Sequence, residues 1–335
     1  MRLLRDGLFA VLCATLVFGS PVYTQAIAGE IEIVKPKSYA PLKAERSSEL
    51  QAMLDSIVSD FIKSYTTKPL KPEELSVTLI DLASDTAREA SFRGDVPIYP
   101  ASVVKMFYMA ALYQQVEDGK LVMTTELERG LRDMIIDSSN EATQYIVDVL
   151  TQTSSGAELP AKEFELWSQR RNRMNRYFSS MGYTNINVNQ KTHCEDAYGV
   201  EQQFRNYKGE NRNMLTTDAS ARLIAEIARG RSVNAVRSKM MMDLLARNPF
   251  EEKSKANSQA TDFAGKAIID ADIKNARLWS KAGWTSRSRH DAAYIETPGG
   301  SKFAVAIFTE HHANEKEIIP SIVSKIIERL DKERK

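Results

Sequence analysis

Apolar and polar positions fall into distinct periods along the chain. From Ser47 to Tyr65, Leu50, Met53, Leu54, Ile57, Val58, Phe61 and Ile62 recur at helical spacing. LSVTLIDLAS (75–84) reads as a strand and REASFRGD (88–95) as its hairpin partner, across a turn at Ser84-Asp85-Thr86. Pro100 to Glu117 is apolar almost all round (Val103, Val104, Met106, Phe107, Met109, Ala110, Leu112, Tyr113), which predicts a buried helix ended by Asp118-Gly119. Residues 121–215 read mainly as helix and loop, with charged runs such as QRRNRMNR (169–176) that suit solvated helix faces. TTDASARLIAEIARG (216–230) is a capped helix, with Thr and Asp at its start and Gly at its end, and another helix runs through Leu245. Strand patterns return at 276–284, 291–297 and 302–310, and Glu315 to Arg329 closes the chain as an amphipathic helix.

This order predicts an α+β fold. Hairpin joins imply a five-stranded antiparallel sheet flanked by helices, with an all-helical lobe inserted. The α/β lobe would comprise 47–99 and 217–335, and the helical lobe 100–216. Residues 29–46 have no clear period and contain two prolines, so they read as a leader or linker.

The first 28 residues belong to another category. Arg2 and Arg5 precede an apolar run, LFAVLCATLVF (8–18), shorter than the roughly 20 residues that span a bilayer. Small residues follow, ending in Ala26-Ile27-Ala28, an A-x-A pattern. This predicts a secretory signal peptide cleaved after Ala28, export to the periplasm or medium, and no stable membrane insertion afterwards. Cleavage would remove Cys13 and leave Cys194 alone, so no internal disulfide is expected.

Composition excludes further classes. The chain has 335 residues, 45 basic and 44 acidic, so it lacks the charge of a nucleic-acid binder. Its two cysteines and four histidines (193, 290, 311, 312) form no metal-ligand spacing, so no metal or cofactor is expected. The His311-His312 pair follows the last strand and reads as surface.

Candidate chemistry sits in three short motifs. Ser102-Val103-Val104-Lys105 opens the buried helix, where residues three apart share a face, so an amine lies one turn from a hydroxyl. Such an amine serves as a base when desolvated, and the helix N-terminus favours a developing oxyanion. Ser138-Ser139-Asn140 stands between apolar Met134–Ile136 and the next helix, where it also suits an N-cap. Lys281-Ala282-Gly283 lies in a strand, and its glycine admits close backbone approach.

In this order the motifs resemble the S-x-x-K, S-D-N and K-T-G set of penicillin-recognising serine enzymes. KMFYMAALYQQVEDGKL, MLTTDASARLIAEIARG and the last three strands resemble class A β-lactamases, and the resemblance covers most of residues 47–330. It implies that Ser102 is the nucleophile, that Lys105 activates it or relays its proton, and that Ser138 protonates the leaving nitrogen. It implies that Asn140 binds the substrate amide, and that Lys281 attracts the substrate carboxylate. The backbone N–H groups of Ser102 and Trp284 would form the oxyanion hole. Ala282, Gly283, Thr285 and Arg289 would line the substrate strand.

The chain also departs from that family. Ser139 replaces the usual Asp, as S-x-N peptidases allow. Ala282 replaces Thr, leaving Ser280, Thr285 or Arg289 to supply the missing donor, and Arg287 and His290 crowd the same turn. The E-x-x-x-N stretch that holds the deacylating glutamate is absent, and an ungapped count from Gly182 puts that position on Thr192. Glu195, nearest in count, Glu201 and Glu210 remain open as the base. Losing a positioned base costs about 10²–10⁴-fold in rate, so acylation with slow deacylation is expected. The expected partner is a β-lactam or cell-wall peptide, bound by a monomer. The competing expectations are a β-lactamase linked to antibiotic resistance, a D,D-peptidase-type penicillin-binding enzyme, a non-catalytic binding module, and, more remotely, a serine glutaminase.

Overall fold

The computed structural model describes residues 32–193, 196–251 and 258–335. The expected signal peptide (1–28), Cys194 and Glu195 lie outside the described residues. The strands are β1 (Ala44–Arg46), β2 (Leu75–Asp81), β3 (Ala87–Phe92), β4 (Ala246–Arg247), β5 (Arg277–Trp284), β6 (Ser288–Glu296) and β7 (Lys302–Glu310). The helices are α1 (Ser48–Ser64), α2 (Lys105–Glu117), α3 (Thr125–Arg132), α4 (Asn140–Thr151), α5 (Ala161–Arg171), α6 (Arg173–Ser180), α7 (Val200–Arg205), α8 (Thr217–Ala228), α9 (Ala235–Leu245), α10 (Ser258–Thr261), α11 (Ala264–Asp270) and α12 (Ile318–Glu333).

The sheet runs β1-β3-β2-β7-β6-β5-β4. The five strands read from the sequence form its centre, all antiparallel. Two short strands extend it to seven. β1 pairs with β3 in parallel, through Ala44↔Ala87 to Arg46↔Glu89, and β4 covers only Leu278 and Trp279 of β5. Neither is long enough to show a period, because its place is set by backbone pairing and not by a buried face. Residues 32–46 lie against the fold: Ile33 is buried, and Tyr39 Oη donates to Glu226 Oε1 at 2.9 Å.

Both faces of the sheet are covered, which is why β7 reads KFAVAIFTE without alternation. Phe303, Val305 and Ile307 face α1, α11 and α12 in one apolar cluster. Ala304, Ala306 and Phe308 face α8 and the helical region in the other. α2 runs through that second cluster and is buried from Lys105 to Gln115. Each large apolar side chain there contributes about 1.5–3 kcal/mol by burial. Short polar caps start the flanking helices: Ser47 Oγ accepts from Leu50 N at 3.2 Å, and Thr216 Oγ1 from Ala219 N at 3.0 Å.

β6 starts at Ser288, earlier than its apolar pattern suggests. Thr285 makes the turn tight: its N–H donates to Ser288 O at 2.9 Å, and its Oγ1 accepts from Arg287 N and Ser288 N. His312, expected on the surface, is buried, with Nε2 at 3.1 Å from Glu74 Oε2. No helix among the described residues is long and apolar enough to cross a membrane.

Candidate active site

Ser102 sits in a 3₁₀ turn, Ala101–Val104, that precedes α2. Ala101 has φ 47°, a strained value for a residue with a side chain. The turn is fixed from below by His290, whose Nε2 donates to Tyr99 O at 3.0 Å while Nδ1 accepts from Thr309 N at 3.2 Å. Burial drives the His290 pKa down to about 3, so the ring is neutral. Flanking Ala101, Val103 and Val104 are buried, whereas Ser102 is half-buried, and its turn packs against β5. A Cβ on Gly283 would lie 2.7 Å from Ser102 N and 2.8 Å from Pro100 O. The glycine of the third motif therefore exists because β5 passes against the Ser102 turn.

Ser138 follows a π-helical turn, Asp133–Asp137, and is itself left-handed at φ 59°. This twist sends its hydroxyl between two lysines. Lys105 Nζ donates to Ser138 O at 2.5 Å, to Asn140 Oδ1 at 2.9 Å and to Ser138 Oγ at 3.3 Å. Lys281 Nζ donates to Ser138 Oγ at 2.9 Å. A hydroxyl has two lone pairs, so Ser138 Oγ accepts from both lysine Nζ groups and keeps its own proton to donate. Ser139, the middle residue of the motif, caps α4 by accepting from Ala142 N at 3.0 Å. Aspartate and serine serve that task alike.

Lys105 and Lys281 are both fully buried. Burial, then the charges of Lys105 and Arg247, pull the Lys281 pKa well below the usual lysine range, with Asp291 opposing. Ala282 points into the cluster on the far face of the sheet. Trp284 is 46% exposed, its ring 5.7 Å from Phe263. Beyond Trp279, no strand among the described residues covers the outer edge of β5. Arg289 is buried beside Phe263 and Asp262. Its guanidinium lies 3.9 Å from the Phe263 ring centre and donates to Asp262 O at 3.2 Å. Thr285 is occupied by the turn it closes.

Glu201 is held in an ion cluster. It is buried in α7 and bound by both arms of Arg171 at 2.9 and 2.8 Å, with Lys191 at 3.2 Å and Ser155 at 2.9 Å. Burial alone would raise its pKa, but Arg171 and Lys191 outweigh this and hold it low. Glu210 pairs with Arg212 at 3.2 Å, and Thr192 is buried with its carbonyl accepting from Gln144.

Two residues at the site carry no sequence signal. Gln259 Oε1 accepts from Lys281 Nζ at 2.6 Å and Ala282 N at 3.3 Å, while Nε2 donates to Ile136 O at 2.8 Å. Arg247 Nη2 donates to Ile135 O at 3.1 Å. Neither belongs to a local spacing pattern. Each reaches the site across the fold.

The beta-lactamase enzyme family model matches residues 54–330. No curated protein matches the chain in sequence. Among solved structures, a beta-lactamase from Sphaerobacter thermophilus is 18% identical, covering 83% of this chain and 97% of its own, at TM-score 0.58. A class A beta-lactamase representative from Bacteroides cellulosilyticus is 14% identical over 84% of this chain and 98% of its own, at TM-score 0.56. A point mutant of PBP-A, solved as an acyl-enzyme complex with penicillin G, is 17% identical over 88% of this chain and 99% of its own, at TM-score 0.57. At these identities the likeness establishes the α+β fold. With that fold and a family match over most of its length, the chain belongs to the beta-lactamase enzyme family.

Proposed function

We propose that this chain is an exported serine hydrolase that forms an acyl-enzyme on Ser102 with a β-lactam or a cell-wall peptide. The observation that carries this is the Ser138 hydroxyl held between Lys105 and Lys281. Ser102 Oγ attacks the carbonyl carbon, and its proton passes to the neutral Lys105 amine. The oxyanion is met by the N–H groups of Ser102 and Trp284. When the C–N bond breaks, Ser138 gives its proton to the leaving nitrogen and is reprotonated from Lys105. Lys281 attracts the substrate carboxylate, and Asn140, oriented by Lys105, binds the substrate amide. Gly283 and Trp284 form the strand edge beside which the substrate lies. The cleft runs between the α/β lobe (47–99 and 217–335) and the helical lobe (100–216), and residues 1–28 direct export.

Slow deacylation is part of this proposal. A general base must be free to take a proton from water, and Glu201 is tied to Arg171 and Lys191. The same observation, with Ser139 in the S-x-N motif, favours the second reading, a D,D-peptidase-type enzyme.

The test is incubation with a fluorescent penicillin, followed by intact mass over time. Wild type should gain one adduct, and Ser102→Ala none. A transient adduct identifies a hydrolase and a persistent one a penicillin-binding peptidase. No adduct on wild type would refute acylation at Ser102 and leave a binding module.

A further inference from the structure

Gln259 belongs to no motif, yet its amide makes four contacts with described residues at the centre of the site. Its oxygen accepts from Lys281 Nζ at 2.6 Å and from Ala282 N at 3.3 Å. Its nitrogen donates to Ile136 O at 2.8 Å and Ile135 O at 3.5 Å. Ile135 and Ile136 lie in the π-helical turn that aims Ser138, and Lys281 meets Ser138 from β5. Gln259 is 2% exposed, so these bonds do not exchange with bulk water. A buried amide that bridges two cleft walls sets the spacing between them.

We propose that Gln259 is a positioning residue: it ties the Lys281 ammonium to the Asp133–Asp137 turn and so holds the Ser138 hydroxyl in reach of Lys281. Its catalytic consequence rests on the acyl-enzyme proposal, but the positioning does not. Glutamine suits the task because one end must accept and the other donate. Gln259→Glu keeps the acceptor toward Lys281 but loses the donor to Ile136. Gln259→Leu loses both.

Lys281 faces Lys105 from α2, Arg247 from β4 and Asp291 from β6. A carboxylate at 259 adds an opposite charge and favours the ammonium form. Leucine removes an acceptor and disfavours it.

The experiment titrates the lysine side-chain nitrogens by ¹⁵N NMR in the full mature chain, with Lys281 assigned through Lys281→Arg. The Lys281 signal should titrate at higher pH in Gln259→Glu and at lower pH in Gln259→Leu than in wild type. A Lys281 titration unmoved in both variants, with their folds intact, would overturn the proposal. The second readout is penicillin acylation. Gln259→Leu should acylate at least about tenfold more slowly, with its alkaline limb moved down in pH, and Gln259→Glu should move that limb up. If wild type does not acylate at all, the function proposed above fails while the NMR titration still decides the role of Gln259.

Discussion

Gly283→Ala places one methyl group where β5 meets the Ser102 turn. The new Cβ would lie 2.7 Å from Ser102 N, 2.8 Å from Pro100 O and 3.0 Å from Val103 N. All three are backbone atoms, so no side-chain rotation relieves the contact. Ordinary van der Waals distance requires a separation of about 0.7 Å more. β5 is paired with β6 along its whole length, and the turn is tied to His290 through Tyr99, so the strain falls on the interface itself. Overpacking of this kind costs about 1–3 kcal/mol. The separation also drives apart the Ser102 and Trp284 amides proposed to share the oxyanion. Misplacement near 1 Å costs about 10²-fold, so acylation should fall about 10–100-fold while the melting temperature drops by a few degrees. The assay is the second-order rate of labelling by a fluorescent penicillin, beside thermal unfolding. Gly156→Ala is the control, because a Cβ there meets nothing within 4 Å. A Gly283→Ala variant that acylates within about twofold of wild type would refute the argument that close approach of β5 builds the site.

Glu201→Gln should leave Arg171 and Lys191 with Asp148 as their remaining carboxylate and cost about 1.5–3 kcal/mol, measured by urea unfolding; a stability change near zero would show that Glu201 does not hold the cluster together. His290 has a folded pKa of about 3, below its unfolded value, so the stability it supports is present above about pH 6.5 and is lost as pH falls toward 3. His290→Asn should flatten that acid-side decline, and an unchanged pH–stability curve would contradict it. Lys281 carries a depressed pKa and is proposed to act as an ammonium, so acylation should decline with rising pH below the usual lysine range. A rate that stays level up to about pH 10 would show that its charge is not required.

Ser102, Lys105, Ser138 and Lys281 are legible as candidates because each is a reactive residue type within a short motif whose spacing secondary structure converts into a shared site. Ser102 and Lys105 stand three apart at a helix start, and Lys281 and Gly283 lie two apart on a strand. The same logic gave the five central strands, whose patterns are long enough to count. It missed Gln259 and Arg247, because an amide or guanidinium that reaches a carbonyl on another element leaves no period. It offered Arg289 as a carboxylate binder from its charge, which is visible in sequence, whereas the Phe263 ring under its guanidinium is visible only in the fold. Glu201 was ambiguous for a similar reason: its partners, Arg171 and Lys191, lie 30 and 10 positions away and meet it only in the fold. β1 was hidden because three residues are too few to alternate.

At the middle of the sheet, β2 pairs with β7 from Leu75↔Thr309 to Asp81↔Phe303. Those partners stand at opposite ends of the described chain, so their first contact closes a loop at an entropic cost of about 5 kcal/mol. Until β7 arrives, β2 and β6 each present an unpaired inner edge rich in Leu, Val, Ile and Ala. Folding should therefore be slow and late, completed only after nearly the whole chain has been released. A chain truncated before Lys302 would lose the strand that joins the two halves of the sheet, and its exposed edges would favour aggregation over partial folding.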